Sequence, residues 1–128
     1  MLSSLLAAWR LKDETRTGWE LRGVLAPESV ADHSWGTAFL VMLFAGEAGV
    51  DRARAAEIAI VHDLAEAVTG DIATRIAEMN DHERAPERAR TRAEEKARSE
   101  ADAILRLTSA YRRTQAEHVT ALWREYEE

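Results

Sequence analysis

The pattern of hydrophobic and polar positions along the chain favours helix throughout. Alternating runs of β-branched residues do not occur, and Ala, Leu, Glu and Arg dominate the sequence. Ser3 or Ser4 is the predicted N-cap of a first helix that ends at about Lys12. Residues 13–27 contain two glycines and a proline, so we expect a loop there with no more than a short helical turn.

Two longer helices are predicted next. Ser29 is the predicted N-cap of an apolar helix that reaches about Ala48 and ends at Gly49. Asp51 is the predicted N-cap of the following helix, which is expected to run to about Val68. Because the connection between these helices is short, we expect them to lie side by side as antiparallel neighbours.

The rest of the chain predicts two more helices. Residues 71–85 form a looser stretch, and Pro86 is well placed as the first residue of a helix. A final helix is expected from about Ser109. Its predicted buried residues are Val119, Leu122, Trp123 and Tyr126. The elements together predict a single all-α domain of about five helices over residues 1–128.

Composition limits the class of protein. The chain has 128 residues, of which 46% are hydrophobic and 31% charged, as is typical of one soluble globular domain. The net charge of −6 leaves no excess of basic surface, which argues against a nucleic-acid partner. There are no cysteines, so any metal must be bound by His, Asp or Glu. No apolar stretch approaches a membrane span, so we expect no membrane partner and a cytoplasmic location.

The segment VHDLAE, residues 61–66, places three polar side chains close together on a predicted helix. His62 lies in the interior of that helix and His33 lies one turn into the preceding one, so the two histidines could face each other. Neutral imidazoles and a carboxylate such as Asp63 form a good ligand set for a divalent transition metal. Helix capping or a solvated helix face explains the same residues, and on these residues alone it is the commoner explanation.

The loop after this helix adds another acidic side chain. Asp71 follows Gly70 at the predicted helix end, where the helix dipole does not favour a carboxylate. A metal, a water molecule or a partner arginine would explain an acidic residue there. The alternative is an ordinary turn aspartate, which is the commoner use of a Gly–Asp pair.

These residues lie in motifs that resemble a known family. RTGW at 16–19, PESVADHS at 27–34, HDLAE at 62–66 and GDIA at 70–73 are similar in order and spacing to motifs of the HD-domain 5′-deoxynucleotidases. The late segment LWREYEE at 122–128 resembles the same family. The resemblance therefore extends over nearly the whole chain.

The resemblance implies an all-α HD domain, usually a homodimer, that uses one divalent metal ion (Mn, Co, Ni, Zn or Mg). Its implied reaction is hydrolysis of deoxynucleoside 5′-monophosphates to the deoxynucleoside and phosphate. The implied metal ligands are His33, His62 and Asp63. Glu66 and Asp71 would position or deprotonate the attacking water.

The resemblance also implies contacts with the nucleotide. Trp19 would lie against it, and Ile72 and Thr74 would line its pocket. Arg16 and Arg22 are the natural phosphate partners, because a guanidinium binds two phosphate oxygens at once. Solvent-facing arginines are the alternative for both positions.

The motifs of other HD-domain hydrolases match this sequence less well. Cyclic-nucleotide phosphodiesterases of this group carry HDxxH, and here the last position is Glu66. Alarmone hydrolases carry HDxxED, and here Glu66 is followed by Ala67. The pattern of a single-metal nucleotidase therefore matches best.

Two features depart from the nucleotidase family. Bacterial members tend to carry an arginine just before the tryptophan, where this chain has Gly18. The family's fourth ligand is an aspartate several residues beyond the LWxEYE segment, and this chain stops at Glu128 inside that region. We therefore expect three of four ligands and a bundle that lacks the family's C-terminal helices. A truncated chain or gene, a partner chain that supplies the helix, and a degenerate homologue all remain open.

Three hypotheses of function follow from the sequence. The first is a metal-dependent phosphohydrolase that acts on deoxynucleoside monophosphates. The second is a catalytically impaired or non-enzymatic HD-like module for dimerisation or nucleotide binding, which lacks the fourth ligand. The third is an acidic helical scaffold without a metal.

Overall fold

The computed structural model describes residues 2–71 and 86–128, and the secondary structure of these residues is helical. Among these residues, five helices of eight residues or more correspond to the five predicted ones, and two further helices are single turns. The helices are α1 (Leu2–Trp9), α2 (Thr17–Glu20), α3 (Val30–Ala48), α4 (Arg52–Val61), α5 (Glu66–Thr69), α6 (Pro86–Thr108) and α7 (Arg113–Glu127). A 3-10 turn, Arg10–Lys12, extends α1. The all-α class is confirmed.

The predicted ends of α3 and the start of α4 are confirmed. Ser29 and Asp32 form a capping box, in which each side chain accepts a hydrogen bond from the backbone N–H of the other residue. Gly49 ends α3 with φ at 71°, a left-handed conformation that glycine adopts without steric cost. Asp51 caps α4 by accepting a hydrogen bond from the Arg54 N–H.

The prediction of one helix from Asp51 to about Val68 is wrong in its second half. Helix α4 ends at Val61, and residues 62–65 form turns before the short helix α5. Hydrogen bonds in this stretch join residues three apart, for example from the Glu66 N–H to the Asp63 carbonyl at 3.0 Å. Such bonds are tighter than those of an α-helix and change the direction of the chain. His62 therefore lies at the C-terminal end of a helix and not in its interior.

The hydrophobic core lies directly behind this turn. One cluster of buried side chains consists of Leu11, Val30, Ala67 and Leu107, and a second of Ala65, Ala103, Ile104 and Trp123. Leu64 packs against both clusters. Because residues on either side of His62 and Asp63 pack in the core or in α4, the backbone that carries these two polar side chains is held between them.

The last two helices differ from their prediction in boundary and burial. Helix α6 continues to Thr108, and α7 begins at Arg113, four residues after the predicted start. Leu122 and Trp123 are buried as predicted, but Tyr126 is 52% exposed. The side chain of Tyr126 packs instead against the imidazole of His62, with ring centroids 5.1 Å apart.

Helix α3 remains largely uncovered in this chain. It packs mainly against α4, and only Val30, Ser34 and Ala45 are buried along its length. Its exposed large apolar residues are Trp35, Phe39, Leu40, Met42, Leu43 and Phe44. Among the described residues, no helix is both long and apolar enough to cross a membrane.

Candidate metal centre

Helices α3 and α4 bring the two histidines together. His33 lies in the first turn of α3 and His62 follows the last turn of α4, and the three residues 49–51 connect the helices. An antiparallel hairpin places those two helix ends side by side. The imidazole centroids of His33 and His62 are 5.3 Å apart.

Asp63 completes a group of metal-ligand atoms with the two histidines. One ligand atom from each of His33, His62 and Asp63 lies within 4.8 Å of the others. Oδ2 of Asp63 lies 3.0 Å from Nε2 of His62 and 3.8 Å from Nε2 of His33. Two imidazole nitrogens and a carboxylate oxygen that converge in this way are suited to a divalent cation of the first transition series.

Polar contacts on the far side of each imidazole orient the rings. Nδ1 of His62 donates to the Ala59 carbonyl at 2.8 Å, so Nε2 is the nitrogen that faces Asp63. Nδ1 of His33 lies 3.5 Å from Oε1 of Glu28. Metal-binding histidines are commonly held by a carbonyl or a carboxylate at the other ring nitrogen, so this arrangement fits a bound metal.

The pKa values of the two histidines are shifted in opposite directions. Burial and the positive charge of Arg16 lower the pKa of His33, so its ring is neutral at neutral pH. Burial also opposes protonation of His62, but the hydrogen bond and the charge of Asp63 outweigh burial and raise its pKa. The same contact with His62 holds the pKa of Asp63 below its usual range despite burial.

Glu66 stands at the edge of this group without a hydrogen-bond partner for one of its oxygens. The residue is 5% exposed, and its buried Oε2 has no hydrogen bond to the described residues. Burial, together with the charges of Asp63 and Asp71, raises the pKa of Glu66 to about 8. A carboxyl group with a pKa close to neutral pH can both take and give a proton.

Asp71 is held by the loop that precedes α2. Its Oδ2 accepts a hydrogen bond from the Thr17 N–H at 2.7 Å, and the Thr17 hydroxyl donates to its carbonyl at 2.6 Å. The Asp71 N–H donates to Oε1 of Glu14 at 3.1 Å. These bonds place the carboxylate beside Glu66 and tie residues 14–17 to the metal-ligand group.

Two of the predicted substrate residues lie close to this group. Nη1 of Arg16 lies 3.2 Å from Oδ2 of Asp63. Trp19 is 46% exposed, and its indole N–H donates to Oε1 of Glu28 at 3.2 Å, the oxygen that also faces His33. One edge of the indole is thus fixed while much of the ring remains open.

The remaining predicted substrate residues are not placed beside the metal-ligand group. The Arg22 side chain is exposed and makes no hydrogen bond or ion pair with the described residues. Ile72 and Thr74 lie outside the described residues. A role for these three residues in substrate binding stays a prediction.

Sequence reasoning missed several residues that hold the site in place. Glu28 orients both His33 and Trp19, Thr17 fixes Asp71, and Tyr126 packs on His62. These three residues fall inside the motifs RTGW, PESVADHS and LWREYEE, which would have been the available signal. Glu14 carries no comparable signal, because its contact with Asp71 joins residues 57 positions apart.

Fold and site together define a class: a protein, helical over its described residues, in which a His and a His–Asp pair at neighbouring helix ends could hold a metal ion. A sequence model described as HD domain matches residues 8–128. The chain belongs to the HD domain family.

Curated proteins that are similar to this chain include 5′-deoxynucleotidases. The chain is 36% identical to the 5′-deoxynucleotidase hdd1 of Schizosaccharomyces pombe over 122 residues, which cover 92% of this chain and 54% of that protein. It is 33% identical to human 5′-deoxynucleotidase HDDC2 over 127 residues, which cover 99% of this chain and 55% of that protein. The chain thus spans about half the length of these curated relatives.

Solved structures agree on the fold. A conserved hypothetical protein from Pyrococcus furiosus superposes with a TM-score of 0.68 at 32% identity, covering 99% of this chain and 66% of that one. The PH0347 protein from Pyrococcus horikoshii gives a TM-score of 0.69 at the same 32% identity, covering 99% and 64%. About a third of each of these chains has no counterpart in the residues compared.

Proposed function

We propose that the protein is a metal-dependent phosphohydrolase that converts deoxynucleoside 5′-monophosphates to the deoxynucleoside and phosphate. The observation that carries this proposal is the convergence of His33, His62 and Asp63 beside the buried Glu66, whose Oε2 lacks a hydrogen bond to the described residues. The names of the curated relatives supply the substrate class.

His33, His62 and Asp63 would hold one divalent cation, with Mn, Co, Ni, Zn and Mg as the candidates. When bound, such a cation lowers the pKa of water and neutralises phosphate oxygens. We propose both that a single ion binds and that it is one of these five metals.

Glu66 is the proposed proton-transfer group. It would take a proton from the attacking water as the new oxygen–phosphorus bond forms, and return a proton to the 5′-oxygen as the old bond breaks. A pKa of about 8 suits both steps near neutral pH. Asp71, fixed by the Thr17 N–H, would position the water next to Glu66.

The phosphate and the nucleoside would bind on the α2 side of the metal-ligand group. The Arg16 guanidinium is the proposed phosphate partner, and the half-exposed Trp19 ring is the proposed contact for the nucleoside. Arg22, Ile72 and Thr74 complete the proposed substrate-binding residues.

We further propose that residues 1–128 act as a single cytoplasmic domain that forms a homodimer through α3. A helix that is apolar on all sides is normally buried, and α3 carries no charge between Asp32 and Glu47. An uncharged face lets two chains of net charge −6 approach with little repulsion. Leu43→Glu should convert the dimer to a monomer in light scattering, while Leu25→Glu, a substitution in an exposed loop, should not. A wild-type mass of one chain would contradict the proposal.

The activity is tested by phosphate release from dAMP, dGMP and dTMP, with Mn²⁺ or Co²⁺ added to the full chain. We expect turnover that His62→Ala, Asp63→Ala and a chelator abolish. His118→Ala is the matched control, because His118 is exposed and pairs with Glu57. Full metal loading without turnover on any of these substrates would support the non-enzymatic HD module instead.

A further inference from the structure

Arg16 faces three carboxylates at once. Its Nη1 lies 3.2 Å from Oδ2 of Asp63, 4.0 Å from Oε2 of Glu66 and 4.0 Å from Oδ1 of Asp71. The side chains of these three acidic residues are between 5% and 14% exposed. Within the described part of the chain, no other arginine or lysine forms an ion pair with any of them.

Backbone hydrogen bonds hold the residue that carries this guanidinium. The Arg16 N–H donates to the Glu28 carbonyl at 3.0 Å, and the next residue, Thr17, donates its N–H to Asp71. An isolated bridge between Thr15 and Ser29 ties the same loop to the start of α3. The position of Arg16 is therefore set by the elements that position the metal-ligand group.

Arg16 and a bound cation would need the same oxygen. Oδ2 of Asp63 is the oxygen nearest to Nε2 of both histidines, and it is also the acceptor of the hydrogen bond from Arg16. A divalent ion held by Asp63 would weaken that hydrogen bond and repel the guanidinium, because both are positive and lie in a partly buried site.

We propose that Arg16 is the resident counter-cation of the metal-free site, and that a metal ion competes with it for Asp63. In the absence of metal, its charge stabilises the carboxylates of Asp63 and Asp71 beside the buried Glu66. Metal binding releases the guanidinium from Asp63 and leaves it free to bind an anion. The identity of that anion as the phosphate of a nucleotide rests on the proposed function, whereas the competition for Asp63 does not.

The competition is tested with Mn²⁺ alone, by calorimetry and thermal unfolding of the full chain after removal of metal with a chelator. Arg16→Gln should lower the melting temperature of the metal-free protein, because the carboxylates of Asp63 and Asp71 lose the counter-charge beside them. The same variant should bind Mn²⁺ about tenfold more tightly, a coupling of ordinary size between two sites. Arg10→Gln is the matched control, since it removes the same charge from an exposed position, and it should change neither quantity.

Unchanged or weaker Mn²⁺ binding by Arg16→Gln would overturn the proposal. If that variant does not fold without metal, the wild-type chain gives the answer through the nitrogen resonances of its arginine side chains, with the Arg16 signal assigned by Arg16→Lys. Zn²⁺ should shift that signal and speed its hydrogen exchange, and a signal unaffected by Zn²⁺ would contradict the competition. Neither measurement uses turnover, so loss of the proposed nucleotidase activity would leave this result standing.

Discussion

Oε1 of Glu28 lies 3.5 Å from Nδ1 of His33. The same oxygen accepts the indole N–H of Trp19 at 3.2 Å. One carboxylate oxygen therefore orients a proposed metal ligand and a proposed substrate contact together.

Glu28→Ala should weaken both functions that depend on this oxygen. Loss of an outer partner of a metal-binding histidine typically costs 10- to 100-fold in affinity, and we expect about tenfold here because the Glu28 carboxylate is partly exposed. Mn²⁺ affinity by calorimetry and KM for a nucleotide are the measurements. Glu28→Gln retains the acceptor oxygen and should restore most of both. Wild-type metal affinity in Glu28→Ala would show that His33 needs no orientation by this residue.

Metal binding should release protons and strengthen as pH rises towards 8. A cation competes with protonation of His62, whose pKa is raised by Asp63, and it favours the charged form of Glu66, whose pKa is about 8. Calorimetry at pH 7 in buffers of different ionisation enthalpy measures the number of protons released. Glu66→Gln should reduce that number by about one. If the wild type and Glu66→Gln released equal numbers of protons, Glu66 would already be ionised before the metal binds.

Removal of metal should leave a chain whose stability falls as pH rises. The pKa of Glu66 is 4.5 in the unfolded chain and about 8 in the folded one, so the folded state binds more protons between these values. Its contribution is therefore fully present below pH 4.5 and is lost as pH rises through 8. One pKa unit corresponds to about 1.4 kcal/mol, so the loss can reach a few kcal/mol.

Urea denaturation with a chelator at pH 5 and pH 8 measures this loss. Glu66→Gln should lose less stability between the two pH values than the wild type. Glu117→Gln, at an exposed carboxylate paired with Arg113, should follow the wild type. Parallel behaviour of Glu66→Gln and the wild type would rule out an uncharged Glu66.

Local signals were enough to predict the helix ends. Ser29, Gly49 and Asp51 act through their own side chain or backbone conformation within a few residues, and each is found in its predicted place. The all-α class followed for the same reason, since composition and helix ends are local properties.

Features that depend on distant contacts were not predictable in this way. The turn at residues 62–65 interrupts a segment of uniform helical composition, and its residues Leu64 and Ala65 pack in a core cluster with side chains of α6 and α7. The ion pair between Arg16 and Asp63 joins residues 47 positions apart. The proximity of His33 and His62 could be expected only because a short connection makes α3 and α4 antiparallel neighbours.

The capping box at Ser29 should matter for the metal site as well as for the helix. Ser29→Ala removes the acceptor for the Asp32 N–H and should lower the free energy of unfolding by about 1 kcal/mol. Because His33 lies in the turn that this cap organises, Mn²⁺ affinity should fall as well. Ser99→Ala, at an exposed position inside α6, should change stability by less than about 0.5 kcal/mol. A loss of stability without any change in Mn²⁺ affinity would show that the metal ligands hold the first turn of α3 in place by themselves.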